Sequence, residues 1–276
     1  MTQAQEARRE RGHALLTEAA LFTFATFNAN SIRSRLPIIV DWLARHKPDV
    51  LCVQETKCRD EDFPAGAFRD AGYCVVFHGE KSYNGVAVIS REEPQNVRRG
   101  FDGGDNEEAR IIRATIAGIE IINSYVPQGT AVDSPRFQYK LDWFKRFRHL
   151  LETEYSATAP LVWTGDLNVA PEPVDVYDPE RLEGSVCFHP LERAALREVM
   201  SWGLVDVFRK HNSDAGQYTF WDYRIRGSLS RNLGWRLDHI MATSTLAARS
   251  AGAYIDREPR LAERPSDHTF LVAEFE

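Results

Sequence analysis

Residues 22–55 read FTFATFNANSIRSRLPIIVDWLARHKPDVLCVQE. Phe22 to Asn28 reads as a β-strand. Ser34 then offers a cap for a helix whose Leu36, Ile39, Val40 and Leu43 fall three and four residues apart, on one face. Lys47-Pro48 stops that helix, because proline pushes the residue before it out of the α region. Val50 to Gln54 is a short, continuous apolar run, as expected of a buried strand that ends at Glu55. The stretch is therefore strand, helix, strand, and both strands end on polar groups: Asn28 in one, Gln54-Glu55 in the other.

Further along the chain, Cys74 to Phe77 and Val86 to Ile89 read as strands around a polar loop containing glycine. Ile111 to Ile116 and Ile119 to Asn123 flank Ala117-Gly118, which suggests a tight hairpin. Phe137, Leu141, Phe144, Phe147 and Leu151 mark the buried face of a long helix, and Leu161 to Thr164 a strand. A Pro- and Asp-rich loop from Val169 to about Pro190 looks too structureless to be scaffold, and loops of that length are often functional. A helix from Leu191 to Trp202 and strands around Val205, Tyr218, Leu237 and Leu271 complete the reading. Hairpins interrupt the strand–helix alternation, so two packed sheets with helices outside fit better than one parallel βαβ sheet. With no Gly/Ser-rich linker and no internal repeat, residues 22–276 are expected to form one domain behind a frayed or loosely helical arm at residues 1–21.

Composition narrows the setting. The 276 residues are 43% hydrophobic and 27% charged, as in an ordinary soluble globular protein, and no apolar stretch is long enough to span a bilayer. The first twenty residues mix Arg8, Arg9 and Arg11 with Glu6, Glu10 and Glu18, which suits neither a secretory signal nor a mitochondrial transit peptide; a cytoplasmic protein is expected. The net charge of −6 decides little, since a polyanion is held by local positive charge and a metal site concentrates carboxylates. Cys52, Cys58, Cys74 and Cys187 include no C-x2-C pair, so reduced, mostly buried thiols are expected.

The chemistry lies at the strand ends. Besides Asn28 and Gln54-Glu55, Gly165-Asp166-Leu167-Asn168 closes a strand, Asp238-His239 lies in a strand-like stretch and Asp267-His268 opens the last strand. Any one of these reads as a cap, a turn residue or a surface acid. Their recurrence at nearly every element points instead to one shared edge, where sheet scaffolds build sites. Oxygen donors from Glu, Asp and Asn with one His and no Cys suit a hard cation such as Mg2+, which keeps waters and takes substrate phosphate; that favours phosphoryl chemistry. No G-x-x-x-x-G-K-[ST] loop supports a kinase or ATPase, and no G-x-S-x-G elbow supports a serine hydrolase.

Nine stretches in order carry a resemblance. They are Thr26-Phe27-Asn28 with Asn30-Ser31-Ile32-Arg33, Gln54-Glu55-Thr56-Lys57, Tyr83-Asn84-Gly85-Val86, Asn123-Ser124-Tyr125-Val126-Pro127-Gln128-Gly129 and Gly165-Asp166-Leu167-Asn168-Val169-Ala170-Pro171. Then come Ser201-Trp202-Gly203-Leu204-Val205-Asp206, Tyr218-Thr219-Phe220-Trp221-Asp222-Tyr223, Gly234-Trp235-Arg236-Leu237-Asp238-His239 and Ser266-Asp267-His268. With them the chain resembles the endonuclease/exonuclease/phosphatase superfamily and, within it, bacterial exonuclease III and its abasic-site endonuclease relatives. The resemblance implies an α/β fold, a four-layer α-β-β-α sandwich of two mixed sheets flanked by helices with one catalytic edge. It also implies a Mg2+-dependent hydrolase, with Mn2+ able to substitute, acting in base excision repair. The implied substrate is double-stranded DNA with abasic sites or damaged or recessed 3′ ends, and the implied state a monomer with no obligate protein partner and no membrane.

Carried over by position, Glu55 resembles the principal metal ligand, with Asn28 and Asp267 in or near its shell. Asp166 matches the residue that activates the attacking water and Asn168 the one that holds water or phosphate; both also count in the metal-binding set. Tyr125 matches a phenol that contacts the phosphate, and His268 an imidazole that donates to it, oriented by Asp238. An adjacent Asp238 would favour the imidazolium near neutral pH. Phe220, Trp235 and Leu237 match the walls of an apolar pocket beside the phosphate, and Arg236, Trp221, Lys57 and Asn84 are expected to face DNA. Thr269-Phe270 stands where Ala-Pro often follows the Ser-Asp-His motif, and position 30 is Asn; neither removes an expected ligand.

Other residues read more plainly. His239 is expected to make a local packing or hydrogen-bonding contact, His189 to be solvated, and Trp143 to belong to a core or surface stripe. Arg224, Arg226, Arg231 and Arg236 beside Trp221 and Tyr223 suggest a surface that tracks phosphates and wedges bases. Sphingomyelinases, inositol-polyphosphate phosphatases, deadenylases and secreted deoxyribonucleases share the superfamily, but the Gln-Glu-Thr-Lys, Tyr-Val-Pro-Gln-Gly and Gly-Trp-Arg-Leu-Asp-His stretches favour the repair branch. A non-catalytic nucleic-acid binder is disfavoured by intact acids at every expected position.

Overall fold

The computed structural model describes residues 21–101 and 108–276. The expectation of an N-terminal arm falls, except for Leu21, outside them. The elements in chain order are β1 (Phe22–Asn28), α1 (Ile32–His46), β2 (Val50–Gln54), α2 (Ala65–Asp70), β3 (Cys74–His78), β4 (Val86–Ser90), β5 (Gln95–Arg99), β6 (Ile111–Ile116), β7 (Ile119–Tyr125) and α3 (Pro135–Glu154). They continue with β8 (Leu161–Asp166), α4 (Pro179–Leu182), α5 (Pro190–Met200), β9 (Leu204–Asp206), α6 (Val207–His211), β10 (Asp238–Thr243), α7 (Ser244–Ala247), β11 (Ser250–Asp256) and β12 (Phe270–Phe275).

Side chains alternate across a strand, so a strand that is apolar throughout must bury both of its faces. That occurs here. Val50 and Cys52 of β2, Phe24 of β1 and Leu271 of β12 face a layer shared with Ile112, Ile121, Val162 and Ile240 of the other sheet. Leu51 and Val53, Ala25 and Phe27, and Phe270 and Val272 face the opposite way, onto Ile39, Trp42 and Leu43 of α1 and Phe68 of α2. On the far side, Ile122, Leu161, Trp163 and Met241 meet Trp143, Phe144, Phe147 and Leu151 of α3 and Leu196 of α5. Three apolar layers between helix, sheet, sheet and helix make the expected four-layer sandwich. Within it Trp42 stacks on Phe270 at 4.1 Å, and truncating a ring so buried to Ala typically costs about 3–5 kcal/mol.

One sheet runs β11-β12-β1-β2-β4-β3 and the other β5-β6-β7-β8-β10-β9. β1 with β2 and β7 with β8 are parallel; the remaining neighbours pair antiparallel, so both sheets are mixed.

Several local expectations need correction. α1 starts after Ser31, and Ser34 is exposed inside it. No side-chain cap is needed, because Glu55 O accepts from Ser31 N (2.8 Å) and Thr56 O from Ile32 N (3.1 Å). Strands β5 and β11 add to the expected set: β5 is exposed throughout and β11 only partly buried, so neither carries a full apolar pattern. Tyr218 is not in a strand, although its neighbour Phe220 forms bridges to Trp235 and His268. The last strand begins at Phe270, after Asp267-His268 rather than at them.

The loop after Asn168 is better anchored than its composition suggests. It contains a 3-10 turn at Pro173–Asp175 as well as α4. Asp175 is fully buried and paired with Arg209 at 2.6 Å and Arg236 at 2.7 Å. His189 is not a solvated loop residue: it caps α5, its Nδ1 accepting from Leu191 N at 3.1 Å, with its ring edge-on to Phe137. Trp143 is core, and His239 hydrogen-bonds locally to Val169 O and Arg236.

Candidate active site

Topology alone brings the strand-end residues together. Because β1 and β2 are parallel, Asn28 and Gln54 are register partners at the same end. In the other sheet Tyr125 pairs with Asp166 across parallel strands, and antiparallel β10 starts where β8 stops, so Asp238 lies opposite Asp166. β12 is antiparallel to β1, which puts the preceding Asp267-His268 beside Asn28. The backbone along this edge is unusual: Asn30, Ser31, Glu55, Lys57, Asn84 and Asn168 all have φ between 44° and 95°. Non-glycine residues in that region cost energy and persist where surrounding structure holds them, most often at functional sites.

At the centre, the two hydrogens of Asn28 Nδ2 bridge the sheets, reaching Glu55 Oε1 and Asp166 Oδ2 at 2.8 Å each. Asn28 Oδ1 accepts from Asn30 N (2.9 Å), which fixes the amide's orientation. Asp166 Oδ1 accepts from Asn168 N (2.9 Å), and Asn168 Nδ2 donates to Val126 O (3.0 Å). His268 Nδ1 lies 2.7 Å from Asp238 Oδ2, while its Nε2 looks toward Asp166 Oδ2 at 3.8 Å. Ser266 holds this arm in place: its hydroxyl donates to Asn28 O (2.7 Å) and accepts from His268 N (3.2 Å). Asp267 Oδ1 accepts from Asn30 Nδ2 (3.0 Å). Lys57 Nζ lies 2.7 Å from Glu55 Oε2 and 2.5 Å from Asn30 Oδ1.

These contacts set the charges. Burial works against a charged His268, but Asp238 and Asp166 outweigh it and push the imidazole up to about 10, so it is an imidazolium at neutral pH. Burial, together with Asp238 and Glu55, pushes Asp166 up to about 7 against the pull of His268. Burial raises Glu55 as well, yet Lys57 and Asn28 hold it below the usual carboxylate range. Tyr125 stays a neutral phenol, because burial and the nearby Glu55 and Asp166 charges raise it well above its ordinary value.

The donor set fits a hard cation. Asp166, Asp238 and His268 bring ligand atoms within 4.8 Å of one another, but His268 already shares a proton with Asp238. Of the carboxylates gathered around Asn28 and His268, those of Glu55, Asp166 and Asp267 line the cavity. Buried Asp238 Oδ1 has no hydrogen-bond partner. Around Asn28 the carboxylates of Glu55, Asp166, Asp238 and Asp267 meet the cationic Lys57 and His268, while Asp222 and Arg224, which also line the cavity, pair with each other at 2.7 Å. The local excess is therefore negative and suits a divalent ion.

Around this centre lies a cavity of about 500 Å³ lined by Glu55, Tyr125, Asp166, Asn168, Asp267 and His268, with Phe220, Trp235 and Leu237 among its apolar walls. The structure therefore brings together the expected carboxylates, amides, imidazole and apolar wall. None of the four residues expected to face DNA lines the cavity: Lys57 is held beside it by Glu55 and Asn30, and the other three are buried elsewhere. Arg236 is fully buried, its guanidinium taken by Asp175 (2.7 Å) and Asp206 (2.8 Å). Trp221 is also fully buried, with Arg257 and Arg260 over its ring at 5.0 and 5.8 Å. Asn84 is buried with its amide donated to Glu80, and it serves the edge through its carbonyl, which accepts from Lys57 N (3.0 Å). Of the arginine group, Arg224, Arg226 and Arg231 are exposed, and Arg224 borders the cavity. Asn30 is noted above only as leaving the expected ligands in place, and nothing in the residue types of Ser266 or Gln128, both inside matched motifs, announces that Ser266 braces Asn28 and His268 or that Gln128 lines the cavity.

Known proteins resemble this chain in sequence and fold. The model of the endonuclease/exonuclease/phosphatase family matches residues 25–268. Exodeoxyribonuclease III of Haemophilus influenzae is 36% identical over 266 residues, spanning 91% of this chain and 99% of that protein. The structure of an AP endonuclease from Archaeoglobus fulgidus superposes with a TM-score of 0.90 at 50% identity, covering 92% of this chain and 99% of that one. The 3′ phosphatase NExo from Neisseria, solved with a product DNA hairpin, gives a TM-score of 0.88 at 37% identity over 92% of this chain and 99% of that one. The chain belongs to the endonuclease/exonuclease/phosphatase family.

Proposed function

We propose that this chain is a Mg2+-dependent DNA phosphodiesterase that cuts 5′ to abasic sites and removes 3′-terminal nucleotides and blocking groups. The observation that carries the proposal is the Asn28 amide joining Glu55 to Asp166 across the two sheets, with both carboxylates lining one cavity together with His268, which is paired with Asp238. Glu55, Asp166 and Asp267 would hold the ion, which when bound supplies positive charge against a phosphate oxygen. Mn2+, a similar hard cation, would substitute.

The protein's own groups supply the rest. Asp166 takes a proton from the attacking water, whose oxygen adds to phosphorus as the P–O3′ bond breaks. The O3′ leaves as an alkoxide and takes a proton from solvent, so the upstream strand keeps a 3′-hydroxyl and the abasic sugar keeps the phosphate. His268 Nε2 donates to the phosphoryl oxygens as charge builds there, and Asp238 holds the ring through Nδ1. Asn168 Nδ2 retains a second hydrogen for water or phosphate, and the neutral Tyr125 phenol can donate as well. Phe220, Trp235 and Leu237 receive an abasic sugar, which gives up little stacking when it leaves the helix.

We take residues 22–276 as one catalytic domain, because both sheets share an apolar layer. We further propose a monomer in the cytoplasm, a setting that suits its four free cysteines. No helix among the described residues is long and apolar enough to cross a membrane. Incubation with Mg2+ and three labelled duplexes, carrying an internal abasic site, a recessed 3′ end or a 3′-phosphate, tests the activity. Cleavage of the abasic duplex on its 5′ side is expected; all three duplexes left intact would overturn the reading.

A further inference from the structure

Behind the cavity lies a charged pair that the proposed chemistry does not use. Lys140 of α3 and Glu192 of α5 are both fully buried, with Nζ 2.9 Å from Oε1. The ammonium has two further acceptors, Asn168 O at 2.6 Å and Gln128 O at 3.2 Å, so each of its three hydrogens has a fixed partner. Asn168 and Gln128 both line the cavity, yet they belong to different connections, one after β8 and one after β7. The second Glu192 oxygen accepts from His189 N at 3.4 Å, tying in the turn before α5. Gly129 packs against this stem: a Cβ there would lie 3.5 Å from Lys140 Cδ, at a φ of +102°.

A buried ion pair is poor evidence of stabilisation, since apolar residues of similar volume often serve the fold as well or better. What apolar residues cannot do is hold two backbone carbonyls. Asn168 needs holding: its φ is +51°, its N–H is fixed on Asp166 Oδ1, and its amide must face the reacting phosphate. We propose that Lys140, neutralised by Glu192, is a positioning residue that sets the backbone of Asn168 and so aims its side chain at the reacting group. This rests on the phosphodiesterase reading above. Burial raises the Glu192 carboxyl and Lys140 pulls it down, so Glu192 left alone would take up a proton rather than remain as a stranded charge.

The test combines Lys140→Met, the apolar pair Lys140→Met with Glu192→Leu, Asn168→Ala, and Lys140→Met with Asn168→Ala. Thermal midpoint, kcat and KM are measured on the abasic duplex at saturating Mg2+. Lys140→Met should lower kcat about 10- to 100-fold, as expected for a small misplacement of a reacting group, with little change in KM. The apolar pair should regain the wild-type midpoint without regaining kcat. In the Asn168→Ala background, adding Lys140→Met should change kcat by less than about threefold, because one residue acts through the other. Equal losses in both backgrounds, or kcat recovering along with the midpoint in the apolar pair, would overturn the proposal. An Asn168→Ala variant with wild-type kcat would overturn it too, by removing its target. A wild-type protein that leaves the abasic duplex uncut marks failure of the phosphodiesterase reading itself.

Discussion

Arg236→Met should unfold this protein early without loosening its hold on DNA. Methionine keeps the length and most of the volume of the side chain but not the guanidinium. Arg236 Nε and Nη2 contact Asp175 at 2.7 and 3.1 Å, and Nη2 contacts Asp206 at 2.8 Å, all with side chains nine-tenths or more buried. After the change Asp175 keeps Arg209 at 2.6 Å, whereas Asp206 keeps only weaker partners, the Arg209 N–H at 3.1 Å and His239 at 3.9 Å. Removing one partner from a buried ion pair typically costs about 3–5 kcal/mol. At about 2–4 °C per kcal/mol for a chain of this size, the thermal midpoint should fall by roughly 6–20 °C near neutral pH. The pH dependence follows. Burial raises both carboxyls, but the arginines outweigh it and hold Asp175 and Asp206 below the ordinary aspartate range. Such groups stabilise the fold at pH above their unfolded value of about 3.9, and that contribution is lost as pH falls through the folded values. In the variant the stranded Asp206 carboxyl shifts upward instead, so its deficit is largest near neutral pH and narrows toward pH ~4. Circular dichroism melts across pH and duplex binding by fluorescence anisotropy, well below the transition, read both quantities. An unchanged midpoint with weakened DNA binding would refute the reasoning and return Arg236 to the DNA-facing surface.

Glu55→Gln should raise the Mg2+ concentration for half-maximal cleavage, with partial rescue at excess metal, because an amide is a poorer hard ligand; an unshifted titration clears Glu55 of that role. Excess EDTA should abolish hydrolysis while DNA binding largely survives, and full activity in EDTA would dismiss the metal. Trp235→Ala should lower kcat/KM at abasic sites more than at recessed 3′ ends, because its indole walls the cavity that would take the extruded sugar. An unchanged ratio in a folded variant would make Trp235 merely structural.

The fold was legible wherever a strand is buried on both faces. β2 and β8 are buried throughout, and apolar over residues 50–53 and 161–163, because one side chain in two meets the other sheet and the next meets a helix. β5 was invisible for the converse reason: Gln95–Arg99 lies exposed at a sheet edge, with no apolar pattern to read. Much of the site could be read because acids and amides at strand ends are unusual and parallel pairing sends them to one edge. What misled was residue type without burial. Arg236 and Trp221 sit in a stretch rich in basic and aromatic residues, as a DNA surface would, yet the structure spends them on Asp175, Asp206, Arg257 and Arg260. Lys140 shows the opposite limit: a lysine on a helix reads as solvent-facing until Glu192 and two carbonyls are found around it.

The most direct test compares wild type and Asp166→Asn on a duplex with one abasic site, by single-turnover rate at saturating Mg2+ and by duplex affinity. Asparagine keeps the shape of residue 166 but cannot accept the water's proton. General bases typically contribute about 10²–10⁴-fold. Wild type should therefore cut 5′ to the abasic site, and the variant at least about 100-fold more slowly with affinity little changed. A variant that cuts at the wild-type rate would contradict the account.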